Sequence, residues 1–128
     1  MNYQGVIIKE SLTNKDILKD LQILNTRIEK VTPRHKTPWL KKWTLHTIEV
    51  SKDDMPKIAK RISKSLDISH GHWYADFKDA NTHFIIFKDK IFKVDRYKQE
   101  QYDGMKKYGV SLGIPEYQLI FKAKKQNK

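Results

Sequence analysis

The stretch that decides the fold is WYADFKDANTHFIIF, which occupies residues 73–87. Two runs rich in aromatic and β-branched residues, 73–78 and 83–87, flank a short polar turn near Ala80-Asn81. Such a pattern is typical of a β-hairpin with a tight connection. The stretch therefore predicts two adjacent antiparallel strands at the centre of the fold.

The register of this hairpin predicts how the sheet is covered. A two-residue loop places Asp76 opposite Ile85 and Phe77 opposite Phe84. Because side chains alternate along a strand, large apolar residues then lie on both faces of the sheet. We therefore expect helices on both faces, with Tyr74 and Asp76 near the edge of the last helix.

Working outward from the hairpin, further strands and helices alternate along the chain. Strands are predicted at residues 3–8, 22–31, 43–50 and 91–94, and residues 22–31 alternate as if one face were drier. Helices are predicted from Thr13 to about residue 21, through residues 55–66, and from Asp95 to about residue 112. The order predicts an α+β fold with a ferredoxin-like split βαβ core, extended by a β-meander and a C-terminal helix.

Length and composition restrict the class of protein. With 128 residues the chain has room for one domain, predicted over residues 1–121, followed by a basic and disordered tail at 122–128. The absence of cysteine excludes disulfides and thiol catalysis. No long apolar run or signal-like start is present, so we expect a cytoplasmic protein with no membrane partner.

The strongest compositional signal is positive charge. Lysine and arginine number 26 against 15 acidic residues, which gives a formal net charge of +11. Such an excess attracts polyanions, and nucleic acid is the first candidate. The alternative is a compositional effect, since nearly all of the basic residues are lysines rather than arginines.

Three segments resemble a known family. WYADF, FIIFKDKIF and YGVSLGIPEYQL, within residues 73–119, resemble a family of small uncharacterised prokaryotic proteins. That family has no established activity, so the resemblance implies no catalytic residue.

Two basic segments are candidates for binding nucleic acid or another anion. The first is a proline-containing loop in which basic side chains alternate with tryptophans, and its candidates are Arg34, Lys36, Trp39, Lys41 and Lys42. Cations suit phosphates and aromatic rings stack on bases, but the tryptophans could instead fold back onto the core. The second is the polar face of the middle helix, with Lys57, Lys60, Arg61 and Lys64, whose alternative is a merely solvated surface.

A pocket on the sheet is the second kind of candidate site. His46, Tyr74 and Asp76 are strand residues that could hold a small ligand, with Asp76 as a candidate general base. The alternative is structural, with Asp76 paired to a cation and Tyr74 packed. No metal site and no cofactor are predicted, because the hairpin register separates His72 from His83.

Three classes of function therefore remain open. The sequence favours a small basic binding module without catalytic activity. An enzymatic or ligand-binding pocket around Tyr74 and Asp76 is the first alternative. A protein that forms homo-oligomers through an exposed sheet edge is the second. No catalytic residue is assigned.

Overall fold

The structure, a computed structural model, describes residues 2–125 and is built on one antiparallel sheet of six strands. The strand order across the sheet is β2-β3-β1-β4-β5-β6. The strands are β1 (Asn2–Ile8), β2 (Gln22–Lys30), β3 (Lys42–Ser51), β4 (Ala75–Lys78), β5 (Thr82–Phe87) and β6 (Lys90–Asp95). The α-helices within the described residues are α1 (Met55–Ser65) and α2 (Gln99–Ser111). The predicted α+β class is therefore confirmed.

The hairpin of β4 and β5 has the predicted register. Asp76 pairs with Ile85 and Phe77 pairs with Phe84. The Asp79 carboxylate accepts hydrogen bonds from the backbone N–H groups of Asn81 and Thr82, at 2.9 and 2.7 Å, which closes the turn. An aspartate that satisfies backbone donors in this way stabilises a tight connection.

The two faces of the sheet carry two separate hydrophobic clusters, as the register predicts. Phe77, Phe84 and Ile86 face α1 and belong to the larger cluster. Ile85 and Phe87 face the other way and pack with buried side chains of α2. Helices therefore cover both faces, but the strand side chains that pack with α2 come from β5 and β6, so α2 covers only part of its face.

Helix α1 is the element that the sequence predicts most closely. The Ser51 hydroxyl accepts a hydrogen bond from the backbone N–H of Asp54 at 3.2 Å, and Pro56 lies in the first turn. Its apolar stripe is buried against the sheet, and the hydroxyl of buried Ser63 donates to the backbone oxygen of Phe87 at 2.5 Å. The helix is thereby fixed to the strand beneath it.

Two helix predictions need correction. The segment after β1 forms short 3-10 helices, Lys9–Ser11 and Lys15–Asp20, in place of an α-helix. The 3-10 helix Lys15–Asp20 is capped by the side chain of Asn14 and not by Thr13. The Thr13 hydroxyl donates to the backbone oxygen of Ser65 at 3.0 Å instead. Helix α2 begins at Gln99 and not at Asp95, whose carboxylate is used by a preceding turn.

Strand β2 is correctly placed, but its expected drier face is wrong. The strand lies at the edge of the sheet and pairs only with β3, with a register shift between Ile23 and Asn25. Every residue of β2 except Glu29 is exposed, with Ile28 at 60%, so no described element covers either face of β2. Alternation along a strand assigns residues to a face but does not determine whether another element covers it. Homo-oligomer formation through this edge stays a prediction.

Glu10 links the end of β1 to β3 and makes stability depend on pH. Its carboxylate accepts from the backbone N–H of Thr44 at 2.6 Å and from the Thr44 hydroxyl at 2.8 Å. Burial raises the pKa of the Glu10 carboxyl, but these hydrogen bonds outweigh it and hold the pKa below its usual value. The stabilisation is therefore present above the unfolded-state pKa and is lost as the pH falls through the folded-state pKa.

Glu10→Gln is accordingly expected to lower the free energy of unfolding by about 1 kcal/mol at neutral pH. The difference from wild type should shrink as the pH falls through the lowered pKa of Glu10 in the folded state, because the wild-type carboxyl then becomes protonated as well. Urea denaturation of both proteins at neutral pH and at a series of acidic pH values measures this. A difference that stays constant with pH would contradict the role of the carboxylate.

The chain after α2 returns to the sheet. The Ala123 N–H donates to the Gln99 side chain at 2.9 Å, and the Lys124 N–H donates to the Arg96 backbone oxygen at 2.7 Å. Residues 126–128 of the predicted tail lie outside the described residues, and the domain boundary at residue 121 stays a prediction. Within residues 2–125, neither α-helix is long and apolar enough to cross a membrane.

Candidate functional site

The uncovered part of the α2 face forms a groove with a volume of about 930 Å³. Its floor consists of strand residues that point away from α1, namely Val6, Ile8, Leu45 and Asp76. Val6 pairs with Asp76 across β1 and β4, and it is 37% exposed. The groove exists because α2 packs over β5 and β6, and on this face of the sheet no α-helix among residues 2–125 packs over β1 or β3.

The first wall of the groove is the loop between β2 and β3. The Thr32 N–H donates to Nδ1 of His35 at 3.0 Å, and Lys36 takes the left-handed conformation with φ of 61°. The indole N–H of Trp43 donates to the hydroxyl of buried Thr37 at 2.9 Å. These contacts give the loop one defined conformation and attach it to β3 through Trp43.

The second and third walls come from residues 70–74 and 113–118. Both contain a glycine with positive φ, 134° at Gly71 and 93° at Gly113, a conformation that side chains other than glycine rarely adopt. The hydroxyl of Tyr117 donates to the backbone oxygen of Arg34, which joins the third wall to the first. The walls therefore hold one another in place.

Aromatic side chains dominate the lining. All three tryptophans of the protein line the groove, together with three of its five histidines. Trp39 is 40% exposed and stacks on His70, with ring centroids 4.7 Å apart and an angle of 16° between the planes. The ring centroid of Trp43 lies 4.4 Å from that of His35 and 5.3 Å from that of Trp73. The groove thus offers flat apolar faces to a ligand.

The groove lining contains as many lysine and arginine side chains as carboxylates, but the two kinds differ in how free they are to contact a ligand. Both oxygens of Glu29 are engaged, one by Arg27 at 2.7 Å and the other by His35 at 3.2 Å. The guanidinium of Arg34 lies 5.6 Å from the ring centre of Tyr117, and exposed Lys36 is also at the rim. The cations therefore remain accessible, whereas the Glu29 carboxylate is already paired.

Asp76 is held by a buried hydrogen-bond chain. Nε2 of His83, a residue only 1% exposed, lies 2.7 Å from Oδ2 of Asp76, and Nδ1 lies 2.9 Å from the Tyr102 hydroxyl. Because an ionised carboxylate only accepts, Nε2 carries the proton and donates to it. Asp76 thus enters the groove in a fixed orientation.

The neighbouring Tyr74 is a hydrogen-bond donor and not an acid. Its hydroxyl donates to the backbone oxygen of Gln118, which joins the third wall to the second. Burial and the nearby Asp76 carboxylate raise the pKa of Tyr74 far above its usual value. The hydroxyl therefore stays protonated and has a structural partner.

The structure brings together two sites that the sequence predicted separately. Arg34, Lys36 and Trp39 of the loop line the same groove as Tyr74 and Asp76. Exposed Lys41 and Lys42 lie outside its lining.

The basic face of α1 lies on the other side of the sheet from the groove. Its members are Lys57, Lys60, Arg61 and Lys64, and Arg61 is paired with Asp20 at 2.8 Å. The loop and this helix therefore do not form one continuous basic surface.

The predicted grouping of His46 with Tyr74 and Asp76 does not form. His46 pairs with Ile7, one position along from the Val6–Asp76 pair, and therefore points to the opposite face. Its ring accepts or donates a hydrogen bond with the Thr26 hydroxyl at 2.8 Å. Burial, followed by the positive charge of Lys9, lowers the pKa of His46.

Sequence reasoning missed several lining residues, among them His35, His70 and Tyr117. Tyr117 lies just beyond residue 112, near which the sequence predicts only the end of the last helix. Nδ1 of His72 is buried and has no hydrogen-bond partner in the described part of the chain. An unpaired buried nitrogen of this kind is unfavourable unless another polar group satisfies it.

Comparison of the chain with protein-family models, with curated proteins and with solved structures found no match. The site must therefore be interpreted from its own chemistry. Among residues 2–125, no three side chains of His, Cys, Asp or Glu are grouped so that they could hold a metal ion. What the groove offers is aromatic faces, accessible cations at the rim and one oriented carboxylate.

Proposed function

We propose that the protein is a binding module without catalytic activity that takes a segment of single-stranded nucleic acid in its aromatic groove. The observation that carries the proposal is the convergence of three tryptophans from separate segments on one open groove. Stacking on aromatic side chains needs bases whose faces are free, which single strands provide and duplexes do not.

The charge distribution supports an anionic ligand. Arg34 and Lys36 lie at the rim beside the exposed ring of Trp39, while the Glu29 carboxylate is neutralised by Arg27 and contacts His35. The net charge of +11 adds a long-range attraction for phosphates. A base can stack in the groove while its phosphates remain at the rim, near the cations.

Trp39→Ala is expected to weaken binding of a short single-stranded oligonucleotide about tenfold, the effect of losing one stacked base. Fluorescence anisotropy with labelled single-stranded and duplex DNA and RNA, at two salt concentrations, measures it. Trp39→Phe serves as the control and should retain most of the affinity, because the aromatic face remains. Equal affinity of Trp39→Ala and wild type would overturn the stacking role.

Two double variants that lose the same charge distinguish direct contact of the rim cations with the nucleic acid from long-range electrostatic attraction. Arg34→Gln with Lys36→Gln removes two cations from the groove rim, and Lys57→Gln with Lys60→Gln removes two from the opposite side of the sheet. Because both double variants lose the same charge, only a local contact makes them differ. We expect the rim variant to bind several-fold more weakly. Equal losses would make the attraction nonspecific.

The proposal includes three further assignments. A ferredoxin-like core extended by a meander is supported by the order β2-β3-β1-β4 and by the consecutive neighbours β4, β5 and β6. The resemblance to a prokaryotic family and a cytoplasmic location stay predictions from the sequence.

A further inference from the structure

We infer that Asp76 gives the groove a preference for guanine among the bases, an inference that rests on the proposed function. Asp76 lies on the floor of the groove, next to Val6 and beneath the aromatic walls. A base that enters between these walls presents its edge to the strand residues below. The chemistry of the floor therefore determines which edge is accepted.

Asp76 is the free acceptor among the groove carboxylates. Within residues 2–125 the carboxylate of Asp76 makes one hydrogen bond, from His83 to Oδ2, and 28% of its side chain is exposed. Both oxygens of Glu29, by contrast, are already engaged. Each carboxylate oxygen can accept two hydrogen bonds, so Asp76 retains the capacity to accept two more donors side by side.

The orientation of Asp76 is set before any ligand arrives. His83 is 1% exposed and Tyr102 is 3% exposed, and together they connect the carboxylate to helix α2. A side chain held by a buried partner loses little further freedom on binding, which favours both affinity and selectivity.

Guanine is the base whose edge matches this acceptor. Its Watson–Crick edge carries two adjacent N–H donors, on N1 and on the exocyclic N2. The corresponding edges of adenine, cytosine and uracil place acceptors next to their donors. A fixed carboxylate accepts both guanine donors and repels the acceptor atoms of the other bases.

The test compares nucleoside monophosphates. Quenching of tryptophan fluorescence by guanosine, adenosine, cytidine and uridine monophosphates gives four dissociation constants for the wild-type protein. We expect guanosine monophosphate to bind about tenfold more tightly than the others, the discrimination typical of a two-donor contact. Inosine monophosphate, which lacks the N2 amino group, should lose most of that advantage.

Two matched variants assign the preference to one residue. Asp76→Asn and Glu29→Gln each remove one negative charge from the same groove. Asp76→Asn should abolish the preference for guanosine monophosphate, and Glu29→Gln should leave it unchanged. Thermal unfolding of each variant confirms that it is folded. A guanine preference that survives in Asp76→Asn, or no preference in the wild type, would overturn the inference while oligonucleotide binding still supports the proposed function.

A second probe applies if no nucleotide and no oligonucleotide binds. Benzamidine is an aromatic cation with two adjacent N–H donors, and benzoate has the same ring with acceptors only. Benzamidine binding that is lost in Asp76→Asn, with no binding of benzoate, would retain Asp76 as the recognition group and overturn the nucleic-acid proposal. Absence of benzamidine binding would overturn both.

Discussion

Gly5→Ala is expected to destabilise the protein by about 3 kcal/mol, because the position has no room for a side chain. A Cβ atom at Gly5 would lie 2.0 Å from the backbone oxygen of Asp76 and 2.6 Å from Cγ of the Phe77 ring. Gly5 pairs with Phe77 in the register of β1 and β4, at the centre of the sheet. A backbone oxygen in a central strand cannot move without disturbing the hydrogen bonds on both sides.

Gly104→Ala provides the matched control. A Cβ atom at Gly104, inside α2, would meet nothing within 4 Å, so the same substitution adds no clash there. Because alanine favours a helix interior over glycine, we expect Gly104→Ala to stabilise the protein by about 1 kcal/mol. Urea denaturation of both variants gives the two changes in free energy of unfolding. Changes of the same sign would contradict the packing at Gly5.

His83→Ala is expected to have the second large effect, a loss of about 3 kcal/mol. The substitution leaves a cavity beside Tyr102 and Phe121, and it removes the hydrogen bonds to Asp76 and to the Tyr102 hydroxyl. A buried hydroxyl without a partner is unfavourable, so the cost exceeds that of the lost volume.

Tyr102→Phe isolates one part of this effect. It removes only the hydroxyl that contacts His83 and should therefore cost about 1 kcal/mol. Thermal and urea unfolding of both variants measure the two losses. If His83→Ala destabilises the protein no more than Tyr102→Phe does, the hydrogen bonds that connect Asp76 through His83 to Tyr102 contribute little to stability.

Local patterns were sufficient to predict the central hairpin and α1. The turn near Ala80-Asn81 fixes the pairing of β4 with β5, and that pairing determines which side chains face α1 and which face α2. A polar turn and an apolar stripe at helical spacing both act over a few residues, so they are visible in the sequence.

The candidate site could be predicted only in parts. Trp39 and Asp76 were each identified as candidates, but their convergence depends on contacts between distant segments, such as the hydrogen bond from Tyr117 to Arg34. Nothing in either segment indicates the other. The sequence predicts the strand that contains His46 but not the register of that strand against its neighbour. A shift of one residue in this register moves a side chain to the opposite face of the sheet, so the sequence could not show that His46 and Tyr74 are separated.

The construction of the groove also bears on how its specificity can change. Each wall is a connecting segment outside the regular strands and helices. Trp73 and Tyr74 of the second wall and Ile114 of the third pack with the hydrophobic clusters, whereas the first wall contributes no residue to either cluster. Substitutions at exposed wall positions such as Lys36 and Trp39 therefore leave the folding core untouched. The sheet acts as a fixed scaffold on which loop replacement can generate a family of binders, and libraries randomised in the first wall are the direct way to use it.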